Sequence, residues 1–153
     1  MPRWCAVPKD FRAAKMPHIG DYGMKTTIAH VDFKIEGDFE GKAHANWLMF
    51  YTNFNSKQKE QTKASYVGIM NVDGTIDGKA GTFALEDDGK YEGGLASATL
   101  KIIEGSGTGK LKGIKGRGTF KSTTCCTLGR PCTCHSKPCQ CYKSSHLVCD
   151  FHK

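Results

Sequence analysis

Seven of the 8 cysteines fall within residues 123–153, as Cys125, Cys126, Cys132, Cys134, Cys139, Cys141 and Cys149. Thiolates, with the imidazoles of His135, His146 and His152 close by, are the ligands that zinc and copper take. Cys125, Cys126, Cys132, Cys134, Cys139 and Cys141 are therefore candidate metal ligands, and zinc or copper is the candidate cofactor. The Cys-x-Cys spacing lacks the two separated Cys-x-x-Cys knuckles of a zinc ribbon. Two other readings stay open. The cysteines form disulfides, although nothing in the sequence indicates an oxidising compartment. Alternatively, the Cys-, Ser- and Thr-rich stretch is inert, or is read in a shifted frame.

A second group of residues suits a different chemistry. His44, Trp47, Tyr51, Tyr66, Met70 and Phe83 combine aromatic surface with a few polar atoms, as a site for a small lipophilic ligand requires. The same residues at period 2 also suit an ordinary barrel core. His44 shares a strand face with Lys42 and Asn46, which equally fits exposure to solvent. No Ser-His-Asp order and no Cys-His pair lies in the central segment, so no general acid or base is assigned. Gly105-Ser106-Gly107-Thr108-Gly109-Lys110 invites a phosphate-loop reading and fails it. The first position of that motif is Glu104 instead of Gly, Leu111 stands where Ser or Thr must follow the lysine, and Gly113 and Gly116 oppose a helix.

The chain of 153 residues is long enough for one domain with its own core, so the barrel requires no cofactor to fold. No stretch approaches the roughly 18 apolar residues of a membrane span. The first residues hold charges and no apolar run, so no secretory signal is expected and the expected location is cytoplasmic. The formal charge is +7, but residues 24–122 carry 14 Lys/Arg against 12 Asp/Glu. The excess lies mostly at the two ends, which argues against a nucleic-acid platform.

Composition divides the chain in three. Residues 1–23, broken by Pro2, Pro8 and Pro17, read as an irregular arm, with Met24 an alternative start. Residues 24–122 read as a β-barrel domain. Residues 123–153 form the Cys-rich tail. In the middle segment, apolar Ile28, Val31, Phe33 and Ile35 define a strand over Thr26–Glu36. From Phe39 to Phe54, Phe39, Gly41, Ala43, Ala45, Trp47 and Met49 share one face. The opposite face turns apolar at Leu48 and Phe50, as in a strand bending through a barrel wall. Ala64–Ile76 is the next strand, and Asp77-Gly78 predicts a type I′ hairpin. Ala80–Glu86 ends at a second turn signal, Asp88-Gly89. Leu95–Glu104 alternates again, and short strands are expected at Thr108–Lys112 and Gly116–Lys121. Roughly seven short strands with hairpin turns predict an all-β fold, a small antiparallel β-barrel whose closure removes its edges.

The string from Tyr66-Val67-Gly68 through Gly81-x-Phe83-x-Leu85, followed by Gly105-Ser106-Gly107-Thr108-Gly109 with Leu111, Gly113 and Gly116, resembles the domain-of-unknown-function 3224 family. Phe39-Glu40-Gly41 resembles its turn into the second strand. The resemblance spans residues 28–122 and implies a barrel similar to that of allene oxide cyclase, with a central cavity but no defined reaction. The tail departs from the family, and only His146–Phe151 resembles one of its closing strands. The close Cys-x-Cys pairs look like those of metallothioneins.

The leading expectation is a barrel that binds a small lipophilic molecule, with an oligomer allowed. The alternatives are a cyclase or isomerase working in the same cavity, and a metal-binding module carried by the tail.

Overall fold

The computed structural model describes residues 3–15, 25–53, 61–92, 95–123, 133–134, 137–138 and 146–152; side chains are described for residues 10, 12, 25–53, 61–92 and 95–121. The strands are β1 (Arg3–Lys15), β2 (Lys25–Gly37), β3 (Phe39–Asn53), β4 (Lys63–Ile76), β5 (Lys79–Glu92), β6 (Leu95–Ile102), β7 (Arg117–Thr123), β8 (Thr133–Cys134), β9 (Lys137–Pro138) and β10 (His146–His152). No helix among the described residues is long and apolar enough to cross a membrane.

Strands β2 to β7 pair with their sequence neighbours in one antiparallel sheet. Hydrogen bonds among these six do not close it. Closure runs through the two ends of the chain: β10 pairs with β7 on one side and β1 on the other, and β1 returns to β2. The segment read from sequence as an irregular arm therefore holds a strand. Its prolines hid the period. The β1–β2 register shifts between Pro8 and Asp10, and such an irregularity is where a strand tolerates a residue lacking an N–H. The stretch that resembled a closing strand is β10.

Alternation sorts the side chains into two faces. Phe39, Ala43, Ala45, Trp47 and Met49 of β3 point inward with Val31, Phe33 and Ile35 of β2, Met70 and Val72 of β4, and Phe120 of β7. Each large buried side chain contributes about 1.5–3 kcal/mol. Leu48 and Phe50 do not pass through the wall as their apolar type suggested. They stay on the outer face, 46% and 38% exposed, beside Val67 and Ile69. The expected hairpin at Asp77-Gly78 is present. Both residues have positive φ, 49° and 72°, as a type I′ turn demands.

The glycine-rich segment after β6 differs from its expectation. Residues 109–111 form one 3-10 turn instead of a strand. Strand β6 covers β5 only from Leu85 onward, so the first half of β5 lacks a strand on that side. Residues 103–108 supply the missing bonds. Ile103 N–H donates to Ala84 O at 2.9 Å, and Thr108 N–H to Thr82 O at 2.8 Å. Thr82 N–H donates to Thr108 Oγ1 at 3.1 Å, and Ala84 N–H to Ser106 Oγ at 3.1 Å. The motif is thus a strap laid on β5, and it brings Leu111 into the core at 4% exposure. Replacing Ser106 by Ala removes the acceptor for the Ala84 N–H. Urea unfolding is expected to show a loss of about 1–2 kcal/mol; unchanged stability would mean the strap does not hold β5.

Candidate functional site

The barrel interior is layered by register. One layer holds Tyr51, Ala64, Tyr91 and Ala96, the next Met49, Tyr66, Gly89 and Ala98, and the third Trp47, Gly68, Asp87 and Leu100. Below them lie Ala45, Met70, Leu85 and Ile102. The lower layers are apolar, and the strap with Leu111 packs at that end. The upper layers carry the polar atoms.

Asp87 is the centre of the third layer. It is a carboxyl at 1% exposure among apolar neighbours. Trp47 Nε1–H donates to its Oδ2 at 2.8 Å. Its Oδ1 is buried and has no hydrogen-bond partner among the described residues. Burial pushes the Asp87 carboxyl up to about 7; the Trp47 hydrogen bond opposes this rise and the neighbouring Asp88 charge adds to it. Trp47 is held by Tyr66, ring centroids 5.1 Å apart, and by Phe33 at 6.0 Å. Tyr66 in turn lies over Gly89, where an added Cβ would sit 2.5 Å from the phenol carbon and oxygen. That close approach explains why a glycine stands here. The Asp88-Gly89 pair is not the turn its composition suggested: both residues lie within β5, and Gly89 pairs with Tyr66 on one side and Ala98 on the other. At the upper layer Tyr51 is half-buried, its hydroxyl pushed up by burial, and Lys25 Nζ lies over its ring at 4.8 Å.

Of the residues proposed from sequence, Trp47, Tyr66, Met70 and Phe83 face the interior, and Tyr51 lies at its upper layer. His44 does not share their interior face, although it and Phe83 border one groove. It faces outward on β3, where its Nδ1–H donates to Asp32 Oδ1 at 2.5 Å. That bond holds the Asp32 carboxyl below its usual value. His44 and Asp32 border an outer groove of about 620 Å³ with Lys42, Asn71, Thr82 and Ser106. The physical reason is parity: His44 lies an odd number of residues from Trp47, so the pleat sends the two to opposite faces. Asp87 was missed because the Asp-Gly signal ended the strand at Glu86. The period continued through Phe83, Leu85, Asp87, Gly89 and Tyr91, and would have placed Asp87 inside.

The proposed metal ligands Cys125, Cys126, Cys132, Cys139 and Cys141 lie outside the described residues. Cys134 is described in its backbone alone, paired with Lys137. Among the described residues no group of three or more His, Cys, Asp or Glu side chains is placed to hold a metal ion.

Fold and site together define a small antiparallel β-barrel with a buried carboxyl in its interior. Residues 9–126 match the family described as protein of unknown function DUF3224, and the chain belongs to that family. It is similar to the crystal structure of a DUF3224-family protein of unknown function from Shewanella oneidensis MR-1. The two share 18% identity at a TM-score of 0.61, over 98% of this chain and 95% of that one. None of the curated proteins compared with it matches.

Proposed function

We propose that this protein is a binding barrel that holds a small, mostly apolar molecule in its interior, with the Asp87 carboxyl as the polar anchor. The observation that carries the reading is Asp87 Oδ1, an oxygen buried without a protein partner among the described residues. An unsatisfied buried polar atom costs about 1–3 kcal/mol, and a ligand group placed against it offsets that cost. Aromatic and apolar walls around a few polar atoms are the general form of such a site.

A neutral apolar dye such as N-phenylnaphthylamine tests the reading. The expected result is saturable uptake of one dye per chain, detected by its fluorescence. His44→Ala should leave uptake unchanged, because His44 faces outward. A folded chain that takes up no dye would end the proposal.

The Asp87 carboxyl also supports a second reading, a cyclase or isomerase in the same interior. A carboxyl near neutrality can both give and take a proton. Product formation from a bound molecule, lost in Asp87→Asn while binding persists, separates catalysis from binding.

A further inference from the structure

Strands β2, β3 and β4 present three successive outward rows across the barrel wall. The register sets Ile28, Leu48 and Val67 side by side in the middle row. Thr26, Phe50 and Ser65 form the row above, and His30, Asn46 and Ile69 the row below. Asp, Glu, Lys and Arg make up 24% of the chain, yet none stands in these rows. The next strand differs: Glu86 and Asp88 of β5 lie opposite Ile69 and Val67. Leu48, Phe50, Val67 and Ile69 are between 38% and 52% exposed. A scattered exposed apolar residue is ordinary. Contiguous large apolar side chains with charge excluded from their midst have the composition of an interface core.

The polar groups within the rows decide what kind of partner covers them. Against hydrocarbon, Asn46, Thr26 and Ser65 would lose water and gain no bond, so a lipid surface does not fit. A second copy of the chain does, because the rows are close to palindromic about β3. A two-fold axis running along β3 lays Leu48 on its own copy and Ile28 on Val67, apolar on apolar. The same axis lays Phe50 on Phe50 and Thr26 on Ser65, and the His30 ring on Ile69. Asn46 also meets its own copy. Its Oδ1 accepts from His30 Nδ1–H at 2.5 Å, and a carboxamide keeps a second lone pair and two N–H donors for another amide. Farther out, exposed Arg12 of β1, opposite His30 and also paired with Asp10, flanks one side of the face. Glu86 flanks the other. The axis carries each to the other's side in the second copy, an attraction that orients the approach. An axis across the strands instead sets Glu86 and Asp88 toward themselves. We propose that two copies of this chain associate through the outer faces of β2, β3 and β4, about a two-fold axis along β3.

Sedimentation equilibrium of the full chain under reducing conditions tests the proposal. The expected mass at micromolar concentration is twice the chain's 16.8 kDa. Leu48→Lys sets two charges against each other on the axis and should weaken association at least about 30-fold. Leu95→Lys replaces a comparably exposed side chain of β6, outside the rows, and should leave association unchanged. Ile28→Glu and Val67→Lys should each weaken the dimer and together restore it, because each faces the other across the axis. Circular dichroism checks that the variants fold, and the wild-type mass stands without them. A wild-type chain that stays monomeric, alone or bound to phosphatidylcholine vesicles, would overturn the proposal. So would a dimer that survives Leu48→Lys, or one that Leu95→Lys breaks equally. A double variant that associates more weakly than either single one would overturn the axis.

Discussion

The stability of this protein should fall as pH rises from about 4 to about 7 and then level off, and Asp87→Asn should abolish the part of that fall due to Asp87. The unfolded carboxyl titrates near its ordinary value of 3.8, whereas in the fold burial pushes it up to about 7. Below pH 4 both states hold the proton and Asp87 contributes no penalty. Between about 4 and 7 the unfolded chain gives up its proton while the folded chain keeps it, so unfolding is favoured increasingly. Above about 7 both are ionised and the full penalty stays. A difference of about 3 pH units corresponds to about 4 kcal/mol. Asparagine matches the shape of the protonated acid and can still accept from Trp47. The variant should therefore equal the wild type near pH 4 and exceed it by up to about 4 kcal/mol near pH 8. Urea unfolding of both proteins across this range measures the difference, with the histidine titrations common to both. A gap that does not change with pH would mean that Asp87 is not held protonated.

The second large effect is expected at Gly68, which pairs with Trp47 on β3 and with Asp87 on β5. A Cβ added there would lie 2.0 Å from Asn46 O and 2.8 Å from Trp47 Cδ1. The first contact is with backbone, so a rotamer change cannot relieve it. Gly68→Ala must push β3 and β4 apart locally or displace the indole that holds Asp87. A loss of about 3 kcal/mol is expected, or about 10 °C in melting temperature for a chain of this size. Gly78 provides the contrast. It has φ of 72° and open space around its missing Cβ, so Gly78→Ala meets only backbone strain, about 1 kcal/mol. Equal melting temperatures for the two variants would contradict the close approach at Gly68.

Most of the barrel wall was legible in the sequence because alternation is a local property. Val31, Phe33 and Ile35, or Ala45, Trp47 and Met49, announce their shared face from their own spacing, and Asp77-Gly78 announces its turn from the φ angles it accepts. The same parity already set His44 beside Lys42 and Asn46, away from Trp47, although its chemistry made it attractive as a ligand group. Local signals misled where two of them competed. At Asp88-Gly89 the turn pair outweighed the period and concealed Asp87. At Leu48 and Phe50 apolar type suggested a change of face that the pleat did not make.

The amino-acid sequence by itself determined the strands of the central segment, their inward and outward residues, the tight hairpin at Asp77-Gly78 and, through its glycine-rich motifs, the resemblance to the family. Only the tertiary structure decided that the barrel closes through β1 and β10, that residues 103–108 replace a strand on β5, and that Asp87 meets Trp47 forty positions away. The physical reason is range. A strand's faces follow from neighbouring residues, but closure, strand substitution and the burial of a carboxyl depend on which distant segments pack together, and no local pattern records that choice.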